Sequence, residues 1–297
     1  MAAGRHTCTH VPHQKAVRLT DSDATTTPTR PLKVVLFCGG QGLRLREYAD
    51  GIPKPMAPIG LRPVLWHVMR YYSYFGHNDF VLCLGHKGEV IKEYFLRYSE
   101  ALSNDFVLLQ GGAKLELLNT DIQDWRITFA NTGLEATIAQ RLLSVRGHLE
   151  GEEMFLANYA DVLTDAPLDE FIEDFRQSGK IAAFLRVRPN YTFHIVSTTD
   201  SSVVTSIRHV HESDVWINGG YFILRREIFD YIRPGEELVE EPFQRLVAEG
   251  QLVAYGYEGF WEPMDTLKEM QHLEALYQTG RPPWALWQNG EPEQVIP

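Results

Sequence analysis

The segment Lys33-Val34-Val35-Leu36-Phe37-Cys38 is a continuous apolar run of strand length that stops at Gly39-Gly40. A strand without polar alternation is expected to be buried on both faces, which points to a parallel sheet covered by helices on each side. The following sequence supplies those helices. Pro63 opens one in which Val64, Leu65, Val68, Met69 and Tyr72 share a face, and Gly76 ends it before the apolar run Phe80 to Leu84. Val90, Ile91, Tyr94, Phe95 and Tyr98 repeat the helical spacing ahead of a further strand, Phe106 to Leu109. Ile138, Leu142 and Val145 mark a third helix, and Met154 to Tyr159 a strand. Leu168, Phe171, Ile172 and Phe175 mark a fourth helix before the strand Ala182 to Leu185. From about residue 194 the texture changes. The shorter strands His194 to Ser197, Val203 to Arg208 and Trp216 to Leu224 lie between polar turns, which predicts a small inserted antiparallel portion. Phe243, Leu246 and Val247 then mark one more helix, and Leu267, Met270 and Leu273 begin a C-terminal one. The expected fold is α/β, a mixed and mostly parallel sheet with helices on both faces and a small β insertion.

Residues 1–30 are Thr-, Asp- and Pro-rich with few large apolar side chains, so a disordered tail is expected ahead of one domain over 31–297. Composition narrows the partners. Lys and Arg number 28 against 39 Asp and Glu, a net charge of -11 that disfavours nucleic acid and anionic lipid as partners. No apolar run approaches the roughly 20 residues of a membrane span, and the N-terminus lacks the apolar core of a signal peptide. A cytoplasmic location is therefore expected. Cys8, Cys38 and Cys83 cannot all pair, and the last two lie in apolar runs, so buried free thiols are the expected state.

In such a sheet, ligands gather at the carboxyl ends of the strands. The first loop there, Gly39-Gly40-Gln41-Gly42-Leu43-Arg44-Leu45-Arg46, combines three glycines with Arg44, a cradle and a permanent charge suited to phosphate. It is neither a Walker A loop nor a dinucleotide fingerprint, and a plain strand-to-helix turn would also use these glycines. Pro53-Lys54-Pro55-Met56 holds a lysine between two prolines, a device that aims an ammonium or merely stiffens a loop. Asp161 follows the strand Met154 to Tyr159. Asp265 precedes a helix, where it is either a free carboxylate or an N-cap, a role that Thr266 could share. Two carboxylates converging on a polyphosphate are the usual protein ligands of Mg²⁺, so this set points to phosphoryl or nucleotidyl chemistry. His209 and His211 alternate along a strand, but no further ligands stand nearby to complete a zinc site.

These segments, together with Lys87 to Phe95, Ile217 to Phe222 and Gly259 to Thr266, resemble the sugar-phosphate nucleotidyltransferases, and within them the glucose-1-phosphate cytidylyltransferase branch. The likeness spans about residues 32–288. It implies a Rossmann-like core, in which an acceptor phosphate oxygen attacks the α-phosphorus of a nucleoside triphosphate and releases pyrophosphate. By position, the resemblance assigns the nucleotide to Gly39, Gly40, Gly42, Arg44, Thr132 and Arg141. Arg44, Lys54, Asp161 and Asp265 would be the catalytic residues, with Mg²⁺ on Asp161 and Asp265. The acceptor would meet Lys54, Tyr159, His194, His209, His211, Asn218, Gly219 and Trp261. CTP is the implied donor, a phosphorylated small molecule the acceptor, and a homo-oligomer the expected assembly. The departures concentrate on the acceptor half. Where the family has Glu-Lys-Pro this chain has His209-Val210-His211, which implies that glucose 1-phosphate is a poor acceptor. Ordinary glucose-1-phosphate cytidylyltransferase activity and a non-catalytic nucleotide-binding subunit are the alternatives.

Overall fold

A computed structural model describes residues 30–40, 52–189 and 193–288; the side chain of His211 lies outside the described set. Gln41, Gly42 and Arg44, the tail 1–29 and Cys8 also fall outside it.

The apolar runs become a seven-stranded sheet. Its strands are β1 (Lys33–Phe37), β2 (Asp79–Leu84), β5 (Arg126–Asn131), β6 (Met154–Asn158), β8 (Ala182–Val187), β11 (Ile217–Arg225) and β12 (Leu252–Tyr257). In space they run β12-β8-β11-β6-β1-β2-β5. β1 pairs in parallel with β2 and β6, β2 with β5, and β8 with β12. Only β11 runs against its neighbours, β6 and β8. The carboxyl ends of the six parallel strands, and the start of β11, therefore share one edge.

Alternate residues of each strand feed two cores. Val34, Leu36, Leu82, Leu156 and Leu185 pack beneath α1 (Val64–Tyr74), α4 (Leu168–Ser178) and α6 (Leu267–Tyr277). Val35, Phe37, Val81, Phe155 and Phe222 pack beneath α3 (Ile138–Ser144) and α5 (Glu241–Ala248). Helices thus cover both faces of a mostly parallel sheet, the expected class. The helix over Val90 to Phe95 is α2 (Gly88–Leu96). Cys38 and Cys83 are buried free thiols, and burial pushes the Cys83 thiol up to about 12.

Two expectations need correction. Phe106–Leu109 (β3) is not a sheet strand: it pairs with Lys114–Leu117 (β4) in a separate two-stranded ribbon. The sheet takes β5 instead, an edge strand whose mixed side chains, Arg-Ile-Thr-Phe-Ala-Asn, hide its role. The segment Trp216 to Leu224 is likewise not part of an insertion, because β11 sits inside the sheet between β8 and β6. The antiparallel insertion is the hairpin of β9 (His194–Thr198) and β10 (Val204–His209).

Candidate active site

Lys54 sits in a single 3-10 turn, Lys54–Met56, preceded by Pro53 at φ -68°. The two prolines fix φ on either side and leave the lysine little choice of direction. Asp161 is aimed by a different device. Ala160, fully buried, takes the left-handed φ of 66°, and its N–H donates to Asn158 Oδ1 at 2.6 Å. A non-glycine residue there costs on the order of 1 kcal/mol, a strain typical of functional turns. After it, β7 (Val162–Thr164) pairs antiparallel with β13 (Trp261–Pro263), and Met264 N–H donates to the Asp161 carbonyl at 2.9 Å. That pairing brings Asp265 alongside Asp161.

Lys54 Nζ lies 2.5 Å from Asp161 Oδ2 and bonds Asp265 Oδ1 as well. Burial works against the ammonium, but the charges and hydrogen bonds of Asp161 and then Asp265 outweigh it and hold the Lys54 pKa up. Burial raises the Asp161 carboxyl against the pull of Lys54, with Asp265 adding to the rise. The N-cap role considered for Asp265 belongs to Thr266. Its Oγ1 accepts from Glu269 N–H at 3.3 Å, while Glu269 Oε2 accepts from Thr266 N–H at 2.8 Å. The Asp265 carboxylate is thereby left for Lys54.

The donor set suits a hard divalent cation. The Asp161 and Asp265 carboxyl groups are 18% and 33% exposed, and both reach Lys54. No group of three or more acidic, His or Cys side chains gathers into a metal cage among the described residues. Two carboxylates and no cage match Mg²⁺, which keeps waters and takes substrate phosphate as further ligands.

Gly39 closes β1 against Arg141. A Cβ on Gly39 would lie 2.0 Å from Arg141 Nη1, so any side chain there must displace the guanidinium. A Cβ on Gly40 would meet nothing within 4 Å among the described residues. The buried Arg141 guanidinium donates from Nη2 to the Gly39 carbonyl at 3.0 Å and from Nη1 to Thr132 Oγ1 and the Gly133 carbonyl at 2.8 and 3.0 Å. Thr132 Oγ1 donates to the Leu84 carbonyl at 2.9 Å. Both side chains, expected to touch nucleotide, tie together the ends of β1, β2 and β5.

On the other side of Asp161, Asn218 Nδ2 donates to Tyr159 Oη at 3.3 Å, and burial pushes the Tyr159 phenol up to about 12. Trp261 Nε1 donates to the Gly219 carbonyl at 2.8 Å. Gly219 and Gly220 lie where the β8–β11 register shifts, and a Cβ on Gly220 would fall 2.7 Å from the Tyr159 ring. His194 and His209 face each other across the β9–β10 hairpin, rings 5.4 Å apart, and His211 follows in the turn Val210–Glu212. Sequence reading passed over three neighbours of this wall: Arg186, Arg188 and Trp216. Alternating arginines on a strand that ends at the ligand edge were the available signal.

An acid pair bridged by lysine, a glycine-lined strand end and an edge-opening parallel sheet define a nucleotidyltransferase, and residues 33–277 match the nucleotidyl transferase family, to which the chain belongs. The chain is 36% identical over 258 residues to the probable glucose-1-phosphate cytidylyltransferase of Bacillus subtilis (strain 168), covering 86% of this chain and 100% of that protein. It is 34% identical over 258 residues to the glucose-1-phosphate cytidylyltransferase of Salmonella typhimurium (strain LT2), with the same coverage. Among solved structures, UTP-bound UGPase from Acinetobacter baumannii superimposes with a TM-score of 0.63 at 17% identity, over 87% of this chain and 97% of that one. That likeness concerns the fold alone. No helix among the described residues is long and apolar enough to cross a membrane.

Proposed function

We propose that this chain transfers a nucleoside monophosphate, with CTP as donor, to a sugar 1-phosphate held on Tyr159, Asn218, Gly219 and Trp261. The observation that carries the reading is the convergence of Lys54 on Asp161 and on Asp265, the latter 211 residues away in sequence, at the carboxyl edge of the sheet. An acceptor phosphate oxygen forms a bond to the α-phosphorus while the bond from that phosphorus to the bridging oxygen breaks and pyrophosphate departs. No protein nucleophile is needed. Positioning and neutralisation of charge carry such a transfer.

Lys54 contributes a fixed charge beside the reacting phosphates. Asp161 and Asp265 would hold Mg²⁺, which when bound neutralises phosphate charge and orients the α-phosphate for in-line attack. Arg141 and Thr132 hold the Gly39 turn so that its backbone faces the triphosphate, and Arg44 is proposed to meet the leaving pyrophosphate. His194, His209 and His211 are proposed to border the acceptor. The full-length identity of 34–36% to cytidylyltransferases supports CTP and favours glucose 1-phosphate as the alternative acceptor. The intact Lys54–Asp161–Asp265 group argues against a non-catalytic subunit. A pyrophosphate-release screen of four nucleoside triphosphates against a panel of sugar phosphates tests the reading: CTP should lead, and a different leading nucleotide would overturn that choice.

The proposed homo-oligomer has a candidate surface. On the ribbon, Phe106 faces Leu117 and Leu108 faces Leu115, and these four apolar side chains are 42%, 36%, 59% and 43% exposed. These four side chains make one apolar face of the ribbon against which a second copy could pack.

A further inference from the structure

Beyond Asn218 the edge of the sheet carries charge that the proposed transfer does not use. Arg186 pairs in register with Asn218, and Arg186 and Arg188 point to the same face of β8. Both guanidinium groups stack on Trp216, with Cζ 4.6 and 4.2 Å from the ring centroid. The backbone leaves space for this: Gly256, opposite Arg186 on β12, would place a Cβ only 3.2 Å from Arg186 Nε. Arg188 is further fixed by donating from Nη1 to the Ser213 carbonyl at 2.6 Å. Its Nε lies 3.5 Å from Glu258 Oε1, a side chain 68% exposed and easily displaced into water. Arg186 has no carboxylate within ion-pair distance among the described residues. Two cations braced on one indole lose little freedom when they bind an anion in the planar, forked manner of guanidinium.

The place of this clamp decides what it meets. β8 lies two strands from β6, after which Asp161 follows, so at about 4.8 Å per strand the backbone that carries the arginines stands roughly 10 Å away from that of the acidic strand end. With their guanidinium groups held on Trp216, the arginines are placed for a group at the far end of a sugar whose phosphate reacts at Lys54 and Asp161. Tyr159 and Asn218 line the ground between. We propose that Arg186 and Arg188, braced by Trp216, bind a second anionic group on the acceptor, a carboxylate or a second phosphate at the end of the sugar remote from the reacting phosphate. The proposal rests on the transfer reaction proposed above.

The test compares glucose 1-phosphate, glucuronate 1-phosphate and glucose 1,6-bisphosphate with CTP and Mg²⁺, reading pyrophosphate release. Binding of each acceptor to the nucleotide-free protein by calorimetry reads the same preference independently of turnover. At least one doubly acidic acceptor should exceed glucose 1-phosphate about tenfold, in kcat/KM and in affinity. Arg186→Gln and Arg188→Gln, each folded by circular dichroism, should remove most of that advantage through KM and leave use of glucose 1-phosphate unchanged. The carboxylate and bisphosphate arms identify the anion. Equal or better use of glucose 1-phosphate overturns the proposal, as does an equal loss for all three acceptors in folded variants, which would assign the arginines to the reacting phosphate. Calorimetric preference without pyrophosphate release would support the clamp and count against the transfer reading alone.

Discussion

Asp265 and Thr266 are adjacent, yet only Thr266 caps the helix while Asp265 is proposed to serve the transfer, so their substitutions should separate cleanly. Asp265→Asn keeps the size and hydrogen-bonding capacity of the side chain and removes its charge. Glu269 and Thr266 still close the first turn of α6, so the cap survives and the loss of the third-exposed ion pair with Lys54 costs about 1 kcal/mol. That corresponds to a fall of roughly 2–4 °C or less in melting temperature. Turnover should suffer far more. Loss of a carboxylate from the proposed two-carboxylate metal site should lower kcat at least a hundredfold, about 2.7 kcal/mol of transition-state stabilisation. Thr266→Ala should do the reverse, costing about 1 kcal/mol of stability with kcat within twofold. Thermal melts and pyrophosphate release on both variants check the pair. A folded Asp265→Asn that turns over normally but melts several degrees early would refute the reasoning and return the cap to Asp265.

Gly39→Ala should displace the Arg141 guanidinium, lowering the melting temperature and raising KM for the nucleotide, since a Cβ has 2.0 Å where it needs more than 3 Å; unchanged values for both would show the turn to be slack. Burial lowers His67 to a pKa of about 4, and its ring serves as donor to the Ile59 carbonyl and acceptor from Trp284 Nε1, which only a neutral tautomer does. The folded pKa lies below the unfolded value near 6.5, so His67 adds stability that is complete above pH 6.5 and is lost as pH falls toward 4, on the order of 3 kcal/mol. Melting temperature should drop over that window, and His67→Gln should flatten the drop; an unaltered pH profile would contradict it. Leu108→Asp on the ribbon should shift the chain toward monomer in light scattering with its fold intact, and a wild-type chain that is already monomeric would remove the proposed contact.

The parallel core was legible because β1, β2 and β6 are unbroken apolar runs, and only a strand buried on both faces has reason to be one. The same signal misled at Phe106–Leu109, since an apolar run records what a strand prefers and not whether this chain covers it. β5 escaped notice for the opposite reason: an edge strand needs less apolar surface and carries Arg126 and Asn131 at its ends. At the site, Lys54, Asp161 and Asp265 were legible as residue types at strand ends. Their meeting was not derivable from spacing, because it depends on the antiparallel β7–β13 pairing and on the left-handed turn at Ala160. That Arg141 also holds the carbonyls of Gly39 and Gly133 was not legible, because nothing in the sequence brings residues 102 positions apart together. Arg186 and Arg188 carried no reading in the sequence, because their common partner, Trp216, lies 30 residues from Arg186 across a hairpin.

Pyrophosphate release by wild type and Asp161→Asn, with CTP, a sugar-phosphate panel and a Mg²⁺ titration, tests the central claim most directly. The wild type should release pyrophosphate with saturable dependence on Mg²⁺, and Asp161→Asn, folded by circular dichroism, should release none at any concentration of the ion. Metal-dependent release by Asp161→Asn at the wild-type rate, or no release by the wild type with any acceptor, would contradict the assignment of Lys54, Asp161 and Asp265 as the seat of nucleotidyl transfer.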